Sequence, residues 1–348
     1  MVKQKIYTLL ILVFILSGCA SGPREDNNFY WPSPPEEPKI SYIGAYRGEA
    51  DFREASFLDV IFGTSPDYGL PKPYGVFSKG DKIYVTLTQN PAVAVIDKKA
   101  RTVKFIGDAG AGRLSLPLGV AISNDGMAFV SDARIKKVYG YDENGGLRVA
   151  IGTKNEFQNP SGIAINQELG RLYVVDSKAH NVHVYTLKGE PLFKFGERGD
   201  KDGQFNFPSN VAIDRRNGNV YIVDTQNFRV QYFDKDGQFI SKFGNVGDVP
   251  GSFTRPKGIG VDSDGHVYVA DAAFDNFQIF DDKGQLLLYV GSGGTGPGQF
   301  QLPAGLYIDE QDRIFVADSV NFRVQAFQYL SDTWKKDNPE QYKKFLLK

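Results

Sequence analysis

The 348-residue sequence predicts an all-β fold, six four-stranded blades closed into a β-propeller, and three observations predict it. An anchor of proline, any residue, a small residue and an aliphatic residue recurs six times. Two strands follow each anchor at constant offset. The strand missing from the last unit stands ahead of the first.

The anchors begin at Pro73, Pro117, Pro160, Pro208, Pro256 and Pro303, which are 44, 43, 48, 48 and 47 residues apart. A second strand, aromatic then β-branched, follows each and usually ends in Asp, as in Tyr173-Val174-Val175-Asp176 and Phe315-Val316-Ala317-Asp318. Nine residues beyond that last position lies the same point of a third strand, Ile96, Tyr141, Tyr185, Phe233, Phe280 or Phe327. Equal offsets in all six units imply equal loops. A fourth strand closes on glycine, as in Phe195-Gly196 and Val290-Gly291, and Asp-Gly or Asn-Gly pairs such as Asp236-Gly237 and Asn217-Gly218 supply the turns. The last unit ends near Tyr329 with three strands. Ile40-Ser41-Tyr42-Ile43-Gly44 has the fourth-strand pattern, so the N-terminal strand is expected to pair with Val324 to Phe327 and close the ring. The propeller is placed at 39–330.

Forty basic and 41 acidic residues leave a formal charge of −1, and with a single cysteine and three histidines the chain has little to offer a disulfide framework or a Cys/His zinc site. Near-neutral charge argues against nucleic acid as a partner. The cysteine is Cys19. Lys3 and Lys5 precede an apolar run from Ile6 to Leu16, too short for a mature membrane span, and the run ends in Leu16-Ser17-Gly18-Cys19. This resembles a bacterial lipobox. It implies a signal peptide over 1–18, lipidation at Cys19 and attachment to a membrane in the cell envelope; an ordinary secretory signal with an incidental cysteine is the alternative. With Ala20 after the cysteine, the sorting rule of Gram-negative lipoproteins would point to the outer membrane. Residues 19–38, rich in proline, read as an extended tether.

Gly203-Gln204-Phe205, Gly251-Ser252-Phe253 and Gly298-Gln299-Phe300 each end three residues before an anchor proline. Asp224-Thr225-Gln226-Asn227-Phe228-Arg229-Val230-Gln231 and Asp318-Ser319-Val320-Asn321-Phe322-Arg323-Val324-Gln325 complete the unit. The pattern resembles the NHL repeat, most strongly in blades four to six. Leu87 departs from the Asp column, and Ala92, Lys137 and Asn181 depart from the Arg column. The Asp and Asn side chains read as loop-fixing groups.

A propeller fold leaves function to its sites. Within this fold, hydrolases of the gluconolactonase type place Ca²⁺ ligands in the channel and amidating lyases bind Zn²⁺ through three histidines. The anchor column Tyr74, Leu118, Ser161, Ser209, Lys257 and Ala304 contains no carboxylate, and of His180, His183 and His266 only His180 falls in a loop at the expected mouth. No catalytic residue, metal site or cofactor is therefore assigned. Convergence of Asp200, Asp248 or Asp275 on the channel would revive an enzyme reading. The candidate ligand or partner contacts are Tyr74, Arg134, Lys136, Lys178, His180, Gln226, Lys257 and Phe274, in loops expected to ring the channel.

An insertion at about 51–70 separates the closing strand from the first anchor. Asp51-Phe52-Arg53-Glu54 reads as a capping box for a helix presenting Phe57, Leu58 and Ile61 on one face. A charged tail occupies 331–348. The expected function is a monomeric, lipid-anchored, non-catalytic binding or scaffold module for another envelope protein. A propeller lyase or hydrolase, or a small-ligand binder with a site at the channel mouth, is the alternative.

Overall fold

The computed structural model describes residues 29–33, 35–52 and 69–346, which form six antiparallel sheets around a central channel. The innermost strands are Pro73–Lys79, Pro117–Ile122, Pro160–Asn166, Pro208–Ile213, Pro256–Val261 and Pro303–Ile308. Each begins at an anchor proline, whose lost N–H costs nothing at a strand start on an open sheet edge. Opposite it sits the last residue of the second strand, as in Pro117↔Asp132 and Pro303↔Asp318.

The small residue of the anchor answers to close approach. A Cβ on Gly75, Gly258 or Gly305 would overlap the backbone carbonyl of Leu118, Ala304 or Tyr74 in the neighbouring blade. Hydroxyls stitch the same seam. Thr86 Oγ1 accepts from the Gly75 amide at 2.7 Å and donates to the Leu118 carbonyl at 2.8 Å, and Ser131 does the same between Gly119 and the Ser161 carbonyl.

Between blades a second column does the packing. Leu70, Leu114, Phe157, Phe205, Phe253 and Phe300, each three residues before an anchor, are buried and plug the six seams. The glycine ending the preceding fourth strand makes room. A Cβ on Gly196 or Gly244 would overlap the ring of Phe205 or Phe253, and both glycines hold positive φ, at 86° and 91°.

The ring closes as expected. Ile40–Tyr46 pairs with Arg323–Tyr329, with Ile40↔Tyr329, Tyr42↔Phe327 and Tyr46↔Val324 in register. The strand outruns its sequence estimate: Gly44 lies at a bulge with open space beside it, and Gly48 takes the seam position against Leu70.

The tether also differs in its second half. Tyr30–Trp31 forms a fifth strand on the last blade, and Trp31 packs edge-on against Phe327 at 5.7 Å, because three successive aromatics outweigh the neighbouring prolines. The tail folds into two short helices, Asp332–Asp337 and Pro339–Leu346. Lys335 Nζ and the Tyr342 hydroxyl both reach Glu37 at 2.6 Å, tying the two ends of the described chain together. These contacts, led by Lys335, hold the Glu37 pKa down at about 2.

Candidate functional site

One end of the ring carries the loops between second and third strands and the loops between blades. The repeat Asp column holds that loop face in shape. Asp132 accepts from the amides of Ser115 and Leu116 at 2.6 and 2.9 Å, and Asp176, Asp271 and Asp318 accept equivalent amides of the loops before their anchors. In blades four and six Arg and Gln extend the arrangement. Arg229 pairs with Asp224 through Nε at 2.8 Å and caps the carbonyls of Asp200, Lys201 and Gln204; Gln231 clamps the same loop at Gly203 and Gln204. Burial is the largest influence on the Asp224 and Asp318 carboxyls and pushes both up, with Arg, Asn and amide donors pulling the other way.

The predicted contact residues separate into three groups. Tyr74 and Lys257 meet, with the Lys257 ammonium 5.4 Å from the Tyr74 ring centroid. Arg134, Lys136, Lys178 and Gln226 are exposed on the loop face, and Phe274 is half-buried there. His180 is buried instead: its Nδ1 accepts from the Phe207 amide at 3.1 Å and its ring packs edge-on against Phe207. His180 holds left-handed backbone, φ 57°, as Lys136, Phe228, Asp275 and Phe322 do at the same repeat position. Cys19, Phe57, Leu58 and Ile61 lie outside the described residues. Asp51 ends the short helix Glu49–Asp51 and accepts from the amides of Arg47 and Gly48, behind it in sequence.

The three histidines are engaged separately. His183 packs beside Phe157 and Tyr185, where burial lowers its pKa. His266 Nδ1 lies 2.8 Å from Asp262 Oδ2, a bond that raises its pKa. Asp275 accepts the Leu302 amide at 2.8 Å. Among the described residues no three His, Cys, Asp or Glu side chains gather as a metal site.

The channel encloses about 360 Å³. Val76, Val120, Ile163, Val211 and Ile259 line its middle, and its far end, opposite the loop face, is charged. There Arg215 of blade four crosses past blade five to the carbonyls of Ile308 and Asp309 at 3.2 and 2.9 Å. Arg313 Nε bonds Asp309 at 2.7 Å, and Lys79 Nζ bonds the Ser123 carbonyl at 2.7 Å. Sequence reasoning passed over this end because it looked for ligands only at the loop face. The available signal was the charge placed directly after the inner strands, in Asp214-Arg215 and Asp309 to Arg313.

Apolar side chains also stand exposed at the loop-face end. Phe207, Leu302, Val320 and Phe322 are 41, 45, 40 and 37% exposed on the loop face, joined by Val246 and Val249 at 63 and 61%. Phe207, Leu302 and Phe322 hold left-handed backbone, at φ 47°, 52° and 54°.

The NHL repeat family matches residues 157–185, 205–233, 253–280 and 300–327. No curated relative matches the sequence. Similar solved structures include virginiamycin B lyase from Staphylococcus aureus, with 14% identity, 75% of this chain and 96% of that chain covered, and a TM-score of 0.56. An auxiliary nutrient binding protein from Bacteroides thetaiotaomicron gives 16% identity, 76 and 71% coverage and a TM-score of 0.59. A gluconolactonase from Xanthomonas campestris gives 15% identity, 82 and 98% coverage and a TM-score of 0.59. At these identities the likeness is one of fold. The chain is an all-β, six-bladed propeller whose blades three to six match the NHL repeat.

Proposed function

We propose that this chain is a lipid-anchored, extracytoplasmic, non-catalytic binding module whose loop face docks another protein of the cell envelope. One observation carries the reading: bulky apolar side chains stand exposed on that face from left-handed backbone. Such a conformation costs an L-residue about 1–2 kcal/mol, and exposure returns nothing to the fold. Phe207, Leu302 and Phe322 thus carry a backbone cost and leave 37–45% of their surface in solvent, which suits a surface selected for contact. The Asp column supports the non-catalytic part, since its carboxylates are occupied by loop amides and guanidinium groups. The sequence around Cys19 supports the anchor.

The test is fractionation and affinity capture from intact envelopes. The wild-type chain is expected in the membrane fraction with a discrete partner, Cys19→Ser in the soluble fraction, and Leu302→Ser/Val320→Ser in the membrane without the partner. Retention of the partner by the double variant would contradict the docking surface.

A second reading rests on the channel. An apolar middle with Lys79, Arg215 and Arg313 set among Glu168, Asp214, Asp309 and Glu310 at one end suits a small polar ligand, as substrate of a lyase or hydrolase or as bound cargo. Arg215→Met would then abolish ligand-dependent stabilisation and leave partner capture intact.

A further inference from the structure

At the loop-face end of the channel Lys257, on blade five, reaches past blade six to the ring of Tyr74 on blade one. The blade-six residue between them in the anchor column is Ala304, small enough to leave the path clear. Lys257 is half-buried, and its ammonium forms no ion pair with a described residue. Arg113, Arg134, Lys136 and Lys178 are exposed on the same face and likewise lack a carboxylate partner among the described residues. Three acids of this face are engaged, while Asp108, Asp200 and Asp248 are exposed with no cationic partner among the described residues. Asp202 pairs with Lys242, Glu197 bonds Gln204, and Glu156 takes bonds from Tyr185 and Thr153. Beside Leu302, Val320 and Phe322 of blade six the loop face offers Lys257 of blade five, and across the ring, on blades two and three, it offers Arg113, Arg134, Lys136 and Lys178.

We infer that the loop face accepts an acidic protein segment bearing bulky apolar side chains, with one of its carboxylates seated on Lys257 at the channel mouth. This rests on the reading of the loop face as a docking surface and specifies its partner. Complementary charge selects the segment and sets its approach, while the apolar contacts hold it. The position of Lys257 favours a protein over a bilayer. A single projecting carboxylate reaches a half-buried ammonium at a channel mouth; a plane of lipid headgroups does not.

The experiment uses the full-length protein in detergent and a fluorescent heptapeptide in which Asp alternates with Leu and Phe. A peptide with Ser for Asp and vesicles of phosphatidylglycerol serve as alternative ligands. The acidic peptide is expected to bind about tenfold or more tighter than the serine peptide, and more weakly at high salt. Lys257→Met should lose about tenfold in affinity and Lys257→Arg should regain most of it, with Lys283→Met, at the opposite end of the ring, unchanged. Equal binding of the two peptides, wild-type affinity in Lys257→Met, or tighter association with the vesicles than with the peptide would each overturn the inference. A partner captured by wild type and by Lys257→Met alike, yet lost from Leu302→Ser/Val320→Ser, would overturn the acidic segment while leaving the docking surface intact.

Discussion

Arg323 donates from Nε to Asp318 Oδ2 across 2.8 Å, and its other donors close on the carbonyls of Thr295, Gly296 and Gln299 in the preceding inter-blade loop. Both residues are buried. One ion pair thereby fixes a second-to-third-strand loop and the loop of the neighbouring seam at once. Arg323→Met removes the cation beside a buried carboxylate and a donor to three carbonyls, and should cost about 3–5 kcal/mol in urea unfolding. Lys137→Met, at the same position of blade two, removes a half-buried side chain without such a network, and should stay within about 0.5 kcal/mol of wild type.

The seam glycines make a sharper contrast. Gly170, at φ 60°, has open space where a Cβ would stand, so Gly170→Ala should cost only the left-handed backbone, about 1–2 kcal/mol. Gly196→Ala meets the Phe205 ring as well and should add about 1–3 kcal/mol of overpacking. Equal losses in the two variants would remove the plug from the account.

Closure of the ring is tested from within the N-terminal strand. Ile40 is fully buried and Tyr42 packs against Phe327 at 5.4 Å. Ile40→Asp/Tyr42→Asp should release the strand, uncover the Arg323–Tyr329 edge and lower the melting temperature by about 10 °C. Concentration-dependent oligomers in light scattering are expected beside that loss.

The His266–Asp262 bond sets a pH dependence. The bond raises the His266 pKa above its ordinary value of 6.5, so its stabilisation is fully present below that value and fades as pH rises through the folded-state pKa. The melting-temperature gap between wild type and His266→Gln should therefore be widest near pH 5.5 and shrink toward pH 8.5. A gap that widens with pH would reverse the assignment.

Much of this architecture was legible from residue spacing. The anchor prolines, the nine-residue offset and the displaced N-terminal strand all report local geometry that repeats, and repetition makes a weak pattern strong. The plug column was legible where it is Gly-x-Phe and hidden where Leu70 and Leu114 fill the same space with a different side chain. The strand Tyr30–Trp31 was masked by its prolines. The residues of two contacts could be read but their pairing could not, since Lys257 to Tyr74 and Arg215 to Ile308 each skip a blade. Their reach depends on what the skipped blade leaves empty. The exposed aromatics of the loop face were hidden for a related reason: spacing marks which residues end a loop, while left-handed backbone and exposure emerge only when the loops are packed.

The most direct measurement is site-specific photocrosslinking in intact envelopes, with the crosslinker at Val320 on the loop face or at Ile240 on the outer strand of blade four, positions of similar exposure at 40 and 45%. The docking account predicts one discrete adduct from Val320 and none from Ile240. Adducts of equal yield from both positions, or from Ile240 alone, would contradict it.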